Sequence, residues 1–128
     1  MSASPCRVLV VDDNRDSADS QALLLRIEGH DVRVAYDAEA ALDVARGLDP
    51  EVALIDLALP RKDGYELCVE LRKVCPQCKM VAVSGYGDAE HRERSRRCGF
   101  RYHLLKPVDP RHLADIIEEE CSEVPSCE

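Results

Sequence analysis

Short apolar runs alternate with helix-patterned stretches along the whole of this 128-residue chain, and few folds accept that alternation. The runs are Arg7-Val-Leu-Val-Val11, Asp31-Val-Arg-Val-Ala35, Val52-Ala-Leu-Ile55, Met80-Val-Ala-Val83 and Tyr102-His-Leu-Leu105. The third is apolar throughout, as in a strand covered on both faces, whereas the second alternates as an edge strand does. Between them lie helical patterns. Residues 17–28 place Ala18, Ala22 and Leu25 on one face and stop at Gly29. Asp37 caps a helix with Ala41, Leu42 and Ala45 inward and Gly47 at its end. Asp63-Gly-Tyr-Glu66 has capping-box spacing and starts a helix carrying Leu67, Leu71 and Val74, ended by Pro76. Asp109-Pro110 starts a last helix with Leu113, Ile116 and Ile117. The stretch at 88–98 has almost no apolar stripe; Ala89, Ser95 and Cys98 are its means of packing, so it is expected to be the least protected helix. Strands alternating with crossover helices specify an α/β fold with one parallel sheet over residues 6–120, followed by a polar tail at 121–128.

The ends of the runs carry the chemistry. Asp12-Asp13 follow the first, Asp56 the third, Ser84 the fourth and Lys106 the fifth. In a doubly wound sheet of order 2-1-3-4-5, strands 1, 3 and 4 are neighbours at the switch point, and ligands bind outside their C-terminal ends. Asp12, Asp13 and Asp56 then share one pocket, with Ser84 and Lys106 on its rim. Crowded carboxylates repel unless a cation balances them. Oxygen ligands without His or Cys suit Mg²⁺. A carboxylate in such a site can attack a phosphoryl group, while Lys106 and the Ser84 hydroxyl stabilise charge on the transferring oxygens. Each residue alone has an ordinary reading: a helix start for Asp12-Asp13, a loop for Asp56, a turn for Ser84, a solvated charge for Lys106. Packing alone does not account for their joint placement at strand ends.

Lysine and arginine number 17 against 25 acidic residues, a formal net charge of −8, which opposes non-specific binding to nucleic acid or to an anionic membrane. No run has the roughly 18 apolar residues of a membrane span, and the first residues lack signal-peptide character, so a cytoplasmic chain is expected. Its 7 cysteines are then expected to be reduced. Cys75-Pro-Gln-Cys78 has redox or half-zinc-site spacing but no second pair to complete a zinc site; Cys68 and Cys98 are expected to fill gaps beneath helices.

Val11-Asp12-Asp13, Asp56 with Leu59-Pro60 and Asp63-Gly64, Ser84-Gly85 and Lys106-Pro107 together resemble the receiver domain of bacterial two-component response regulators, over residues 6–120. The resemblance implies a flavodoxin-like sheet and a Mg²⁺-dependent phosphoacceptor. Asp56 would take the phosphoryl group from a phosphohistidine on a sensor histidine kinase or histidine phosphotransfer protein. Asp13 would bind Mg²⁺ directly, Asp12 largely through water, and the backbone carbonyl of Ala58 would complete the set. Ser84 and Lys106 would hold the phosphoryl group, and Lys106-Pro107 is a candidate cis bond. A downstream protein partner is implied at the face of the fourth helix, fifth strand and fifth helix, and no direct nucleic-acid partner.

The sequence departs from the family pattern where many receivers carry a switching Tyr or Phe: His103 stands there, and it reads either as taking the switch role with Ser84, its imidazole making that face pH-sensitive, or as a partly exposed strand histidine with no switching role. Ala58 and Tyr86, two beyond Asp56 and Ser84, cannot readily orient a water, so slow phosphate loss is expected. Arg92, Arg94, Arg96, Arg97 and Arg101 read either as a basic docking patch or as a solvated helix with pairs such as Glu90–Arg94 and Glu93–Arg97. Two other readings remain: a degenerate receiver acting only as an interaction module, and a phosphohydrolase with an Asp nucleophile, which would want a second Asp where Ala58 stands.

Overall fold

The structure is a computed structural model that describes residues 5–59, 61–85, 87 and 89–121. Pro60, Tyr86, Asp88, Cys127 and the rest of 122–128, on which parts of the sequence reading fall, lie outside the described residues.

Five strands alternate with five helices: β1 Arg7–Val11, α1 Arg15–Ile27, β2 Asp31–Ala35, α2 Ala38–Leu48, β3 Val52–Asp56, α3 Gly64–Val74, β4 Lys79–Ser84, α4 Ala89–Cys98, β5 Phe100–Leu105 and α5 Pro110–Cys121. The strands form one parallel sheet in the order β2-β1-β3-β4-β5, as expected. The Val52–Asp56 strand is buried at every residue. One core lies beneath α2 and α3, built on Leu9, Ile55, Leu67, Leu71 and Met80. The other lies beneath α1 and α5, built on Val8, Val10, Leu25, Leu54, Leu113 and Ile117. Alternate residues of each strand feed opposite cores, because successive strand side chains face opposite ways.

Several element ends differ from the reading above. Helix α1 starts at Arg15 rather than at 17, because Asn14 caps it; the Asn14 side chain accepts from the Ser17 amide at 3.0 Å. Gly29 does end that helix region, at φ 100°. Gly47 lies within α2, which runs on to Leu48, and Asp49 takes the left-handed cap conformation at φ 53°. The Asp63 side chain accepts from the Glu66 amide at 2.9 Å, half of the expected capping box. Cys121 is the last residue of α5, not the start of a loose tail.

Helix α4 buries Ser95; Cys98 is half-buried and Ala89 is exposed, so the expected packing is only partly present. Polar contacts compensate. The Ser95 hydroxyl lies 2.8 Å from His103 Nδ1 on β5, and the Tyr65 hydroxyl donates to the His91 carbonyl at 3.4 Å. Arg94 does not pair with Glu90; its guanidinium sits 4.0 Å from the Tyr65 ring centroid and 3.9 Å from Asp63. Glu93 holds both Arg96 and Arg97, and these arginines lower its carboxyl below the usual range. Exposed pairs of this kind add little stability. In native-state hydrogen exchange, α4 amides are therefore expected to exchange fastest of the five helices. Protection equal to that of α1 would contradict this.

Candidate functional site

Parallel register sets the heights of the strand ends. Val11 pairs with Ile55, so Asp12 and Asp56 come level one residue later. Asp56 pairs with Val83, and Ser84 with Leu105, which puts Ser84 and Lys106 just beyond. The Lys106 amide donates to the Ser84 carbonyl at 2.9 Å and tethers that rim. The Lys106–Pro107 peptide is cis.

The three carboxylates predicted to meet do so: one oxygen from each of Asp12, Asp13 and Asp56 lies within 4.8 Å of the others. Asp12 and Asp56 are buried, and Asp13 is exposed. Asp56 Oδ1 accepts from the Ala58 amide at 3.0 Å, and Asp56 Oδ2 accepts from Lys106 Nζ at 2.9 Å. Lys106 Nζ is also 3.5 Å from Asp12 Oδ2, and Asp12 Oδ1 accepts from the Asn14 amide at 3.0 Å. Burial raises the Asp12 carboxyl above its ordinary value, and neighbouring Asp56 adds to this against the Asn14 amide and Lys106. Burial alone would lower the Lys106 ammonium, but Asp56 and Asp12 outweigh it and its pKa is raised. Ser84 is 2% exposed at the end of β4. His103 is half-buried on β5, against Ser95 rather than within the carboxylate cluster.

The model of the response regulator receiver domain matches residues 8–118. The chain belongs to that family. This receiver is 35% identical over 121 residues to a 14.6 kDa protein of Leptolyngbya boryana, covering 92% of each. It is 34% identical over 110 residues to a response regulator receiver protein of Anaeromyxobacter sp. (strain Fw109-5), covering 86% of this chain and 46% of that one. Among solved structures, the CheY-like receiver domain protein of Methanospirillum hungatei superposes with a TM-score of 0.85 at 34% identity, over 92% of this chain and 94% of that one. NtrX of Brucella abortus superposes with a TM-score of 0.85 at 32% identity, over 92% of this chain but 27% of its own. The fold is thus that of a signalling domain rather than a classical enzyme. Among the described residues, no helix is long and apolar enough to cross a membrane.

The receiver's donor set fits a hard divalent cation. It offers oxygen atoms only, from carboxylates close enough to share one ion, and one of them is raised by burial that a cation would relieve. The sign of the pH effect follows from Asp12. With a folded pKa above the ordinary 3.8, the folded state keeps this proton to higher pH than the unfolded chain does. Asp12 therefore subtracts stability as pH rises from about that ordinary value through the raised one, and the cost persists above both. Without metal at neutral pH, Asp12→Asn is expected to be more stable than the parent. The gap should close as pH falls through that window, and Mg²⁺ should raise the melting temperature of the parent more than that of the variant. Denaturant titrations at several pH values check this; a less stable variant at neutral pH would count against it.

Three features escaped the sequence reading. Asn14 links the cluster to α1, accepting from Ser17 while its own amide binds Asp12. Gly64 lies against the acceptor strand, where a Cβ would come within 2.7 Å of the Leu57 Cα. Cys6 and Cys121 form a disulfide, contrary to the expected full set of reduced thiols. The fold brings their Cα atoms to 5.7 Å from a sequence separation of 115, which spacing rules do not see. Cys75 and Cys78 are buried thiols; burial raises both, and among the described residues nothing links them to the strand-end cluster. Burial likewise pushes the Cys68 thiol up to about 11.

Proposed function

We propose that this receiver is a phosphoacceptor, with Asp56 taking a phosphoryl group from a phosphohistidine on a sensor histidine kinase or histidine phosphotransfer protein. The observation that carries this reading is Asp56 itself: a buried carboxylate set in a carboxylate cluster with the Lys106 ammonium 2.9 Å away. Asp12, Asp13 and Asp56, with the Ala58 backbone carbonyl, would hold Mg²⁺. When bound, that ion neutralises phosphoryl oxygens and part of the cluster's charge.

The chain's own residues do the remainder. An Asp56 oxygen forms the new bond to phosphorus as the phosphorus–nitrogen bond of the donor breaks, and the imidazole leaves with the electron pair. Lys106, on a flexible and partly exposed stem, passes from the Asp56 carboxylate to the incoming phosphoryl oxygens. Ser84 donates from the adjacent strand end. The Ala58 amide holds the other side of the carboxylate at 3.0 Å and fixes its orientation. The chain assists its own phosphorylation and dephosphorylation without turning over an external substrate, and works in the cytoplasm through a downstream protein partner.

Mass measurement on the intact chain with Mg²⁺ and a small phosphodonor tests the reading. One phosphoryl group should be gained, and none when the metal is chelated. No gain in either case would leave a degenerate receiver that works by protein contact alone. Ser84 and His103 are proposed as the switch: the His103–Ser95 contact ties β5 to α4, where many receivers use an aromatic ring. His103→Ala is expected to weaken phosphorylation-dependent partner binding at the face of α4, β5 and α5, and unchanged binding would remove His103 from the switch.

A further inference from the structure

The sulfur chemistry of this domain lies at the pole opposite Asp56. Cys6 precedes β1 and Cys121 ends α5, so their disulfide joins the N-terminal edge of the sheet to the last turn of the last helix. Cys6 is 1% exposed, its amide donates to His30 Nδ1 at 3.1 Å, and its carbonyl accepts from the Asp31 amide at 3.0 Å. Cys121 is partly exposed. The neighbouring residue, Glu120, adds only non-covalent contacts to the same turn. The Glu120 carbonyl accepts from Lys79 Nζ at 2.9 Å, and the buried Glu120 carboxylate lies 2.9 Å from Arg101 Nε. That carboxylate oxygen makes no aligned hydrogen bond, so its burial rests on the turn staying in place. The rest of α5 is anchored independently by Leu113, Ile116 and Ile117.

We propose that Cys6–Cys121 is a reversible redox site whose substrate is a dithiol reductant, and that its state decides whether the last turn of α5 is clasped to β1 or released. The arrangement provides what such a site requires. Cys121 is only partly buried, so an attacking thiolate approaches from its side rather than from that of Cys6, and the fold survives opening because Leu113, Ile116 and Ile117 hold α5 upstream. A reductant thiolate attacks the Cys121 sulfur and expels the Cys6 thiolate, which takes a proton. The second reductant thiol then displaces Cys121, which is also protonated. Two electrons and two protons enter the protein, and the dithiol leaves as its own disulfide. Cys68, Cys75 and Cys78 stay apart from this exchange because they are buried thiols, and burial disfavours the reactive thiolate. The site is independent of the phosphoryl chemistry proposed for Asp56.

The full chain equilibrated in dithiol buffers from oxidising to reducing, then acid-quenched, denatured and alkylated, reports each cysteine by peptide mass. Cys6 and Cys121 should become alkylated together in one two-electron transition, while Cys68, Cys75, Cys78 and Cys98 are alkylated throughout. Across the same transition, hydrogen exchange at residues 118–121 should rise about tenfold or more, with β1 and β3 unchanged. The Cys6→Ser/Cys121→Ser variant should exchange like the reduced parent in every buffer. Separate titration of the two cysteines, a bond from either to Cys127, or α5 exchange indifferent to the redox state would overturn the proposal.

Discussion

Asp56→Asn is expected to take up no phosphoryl group from a small donor under conditions where the parent chain takes up one, while keeping the helical signal and cooperative unfolding of the parent. The amide occupies the same volume and still accepts from the Ala58 amide, which binds Asp56 Oδ1 at 3.0 Å. What it lacks is a nucleophilic carboxylate oxygen, and no neighbour replaces it. Asp12 is level with Asp56 but has Oδ1 held by the Asn14 amide, and Asp13 is the exposed member of the cluster. Lys106→Gln leaves the nucleophile in place and removes the ammonium 2.9 Å from Asp56 Oδ2. It should slow uptake by about 10²–10³-fold, the usual cost of one group that stabilises developing charge. The two variants separate two roles, since abolition at 56 and slowing at 106 distinguish the acceptor from its electrostatic support. Full uptake by Asp56→Asn would place the acceptor elsewhere; equal rates for Lys106→Gln and the parent would strip Lys106 of its part.

The strand-end cluster was legible in the sequence because period and position sufficed to find it. Each apolar run is short enough to have one end, parallel order makes all the C-terminal ends coincide, and Asp12, Asp56, Ser84 and Lys106 are the first polar side chains past four of the five runs. That reasoning needs only local pattern and one topological rule. The features it missed depend on three-dimensional distance. Nothing near Cys6 in sequence names Cys121 as its partner, because the pairing requires the first strand and last helix to lie side by side. Arg94 has Glu90 four residues away, a pair that helix geometry favours, yet Tyr65 and Asp63 at the start of α3 capture it. Local propensity gave way there to a ring face and a carboxylate supplied by another element. Helix ends slipped by a residue or two for a related reason: Asp49 tolerates the left-handed conformation and let α2 run past Gly47.

Gly64→Ala is expected to destabilise the chain by about 1–3 kcal/mol, whereas Gly47→Ala should stabilise it by roughly 0.5–1 kcal/mol. The opposite signs come from space alone. At Gly47, within α2, an added Cβ meets nothing within 4 Å, so the substitution simply removes glycine's entropic cost in a helix. At Gly64, the first residue of α3, an added Cβ would come 2.7 Å from the Leu57 Cα, 2.8 Å from the Asp56 carbonyl oxygen and 2.9 Å from Leu57 Cδ2. The first two are backbone atoms that no rotamer change moves aside. The helix start must retreat from β3, and the Gly64 amide, which donates to the Leu57 carbonyl at 3.1 Å, moves with it. Leu57 follows directly on Asp56, so the shift reaches the acceptor: phosphoryl uptake by Gly64→Ala should fall along with the melting temperature. Gly47→Ala, on the surface of α2, should leave uptake unchanged. Thermal unfolding and uptake rates measured side by side decide the matter. A Gly64→Ala chain as stable and as readily phosphorylated as the parent would mean that the junction of β3 and α3 does not hold Asp56 in place.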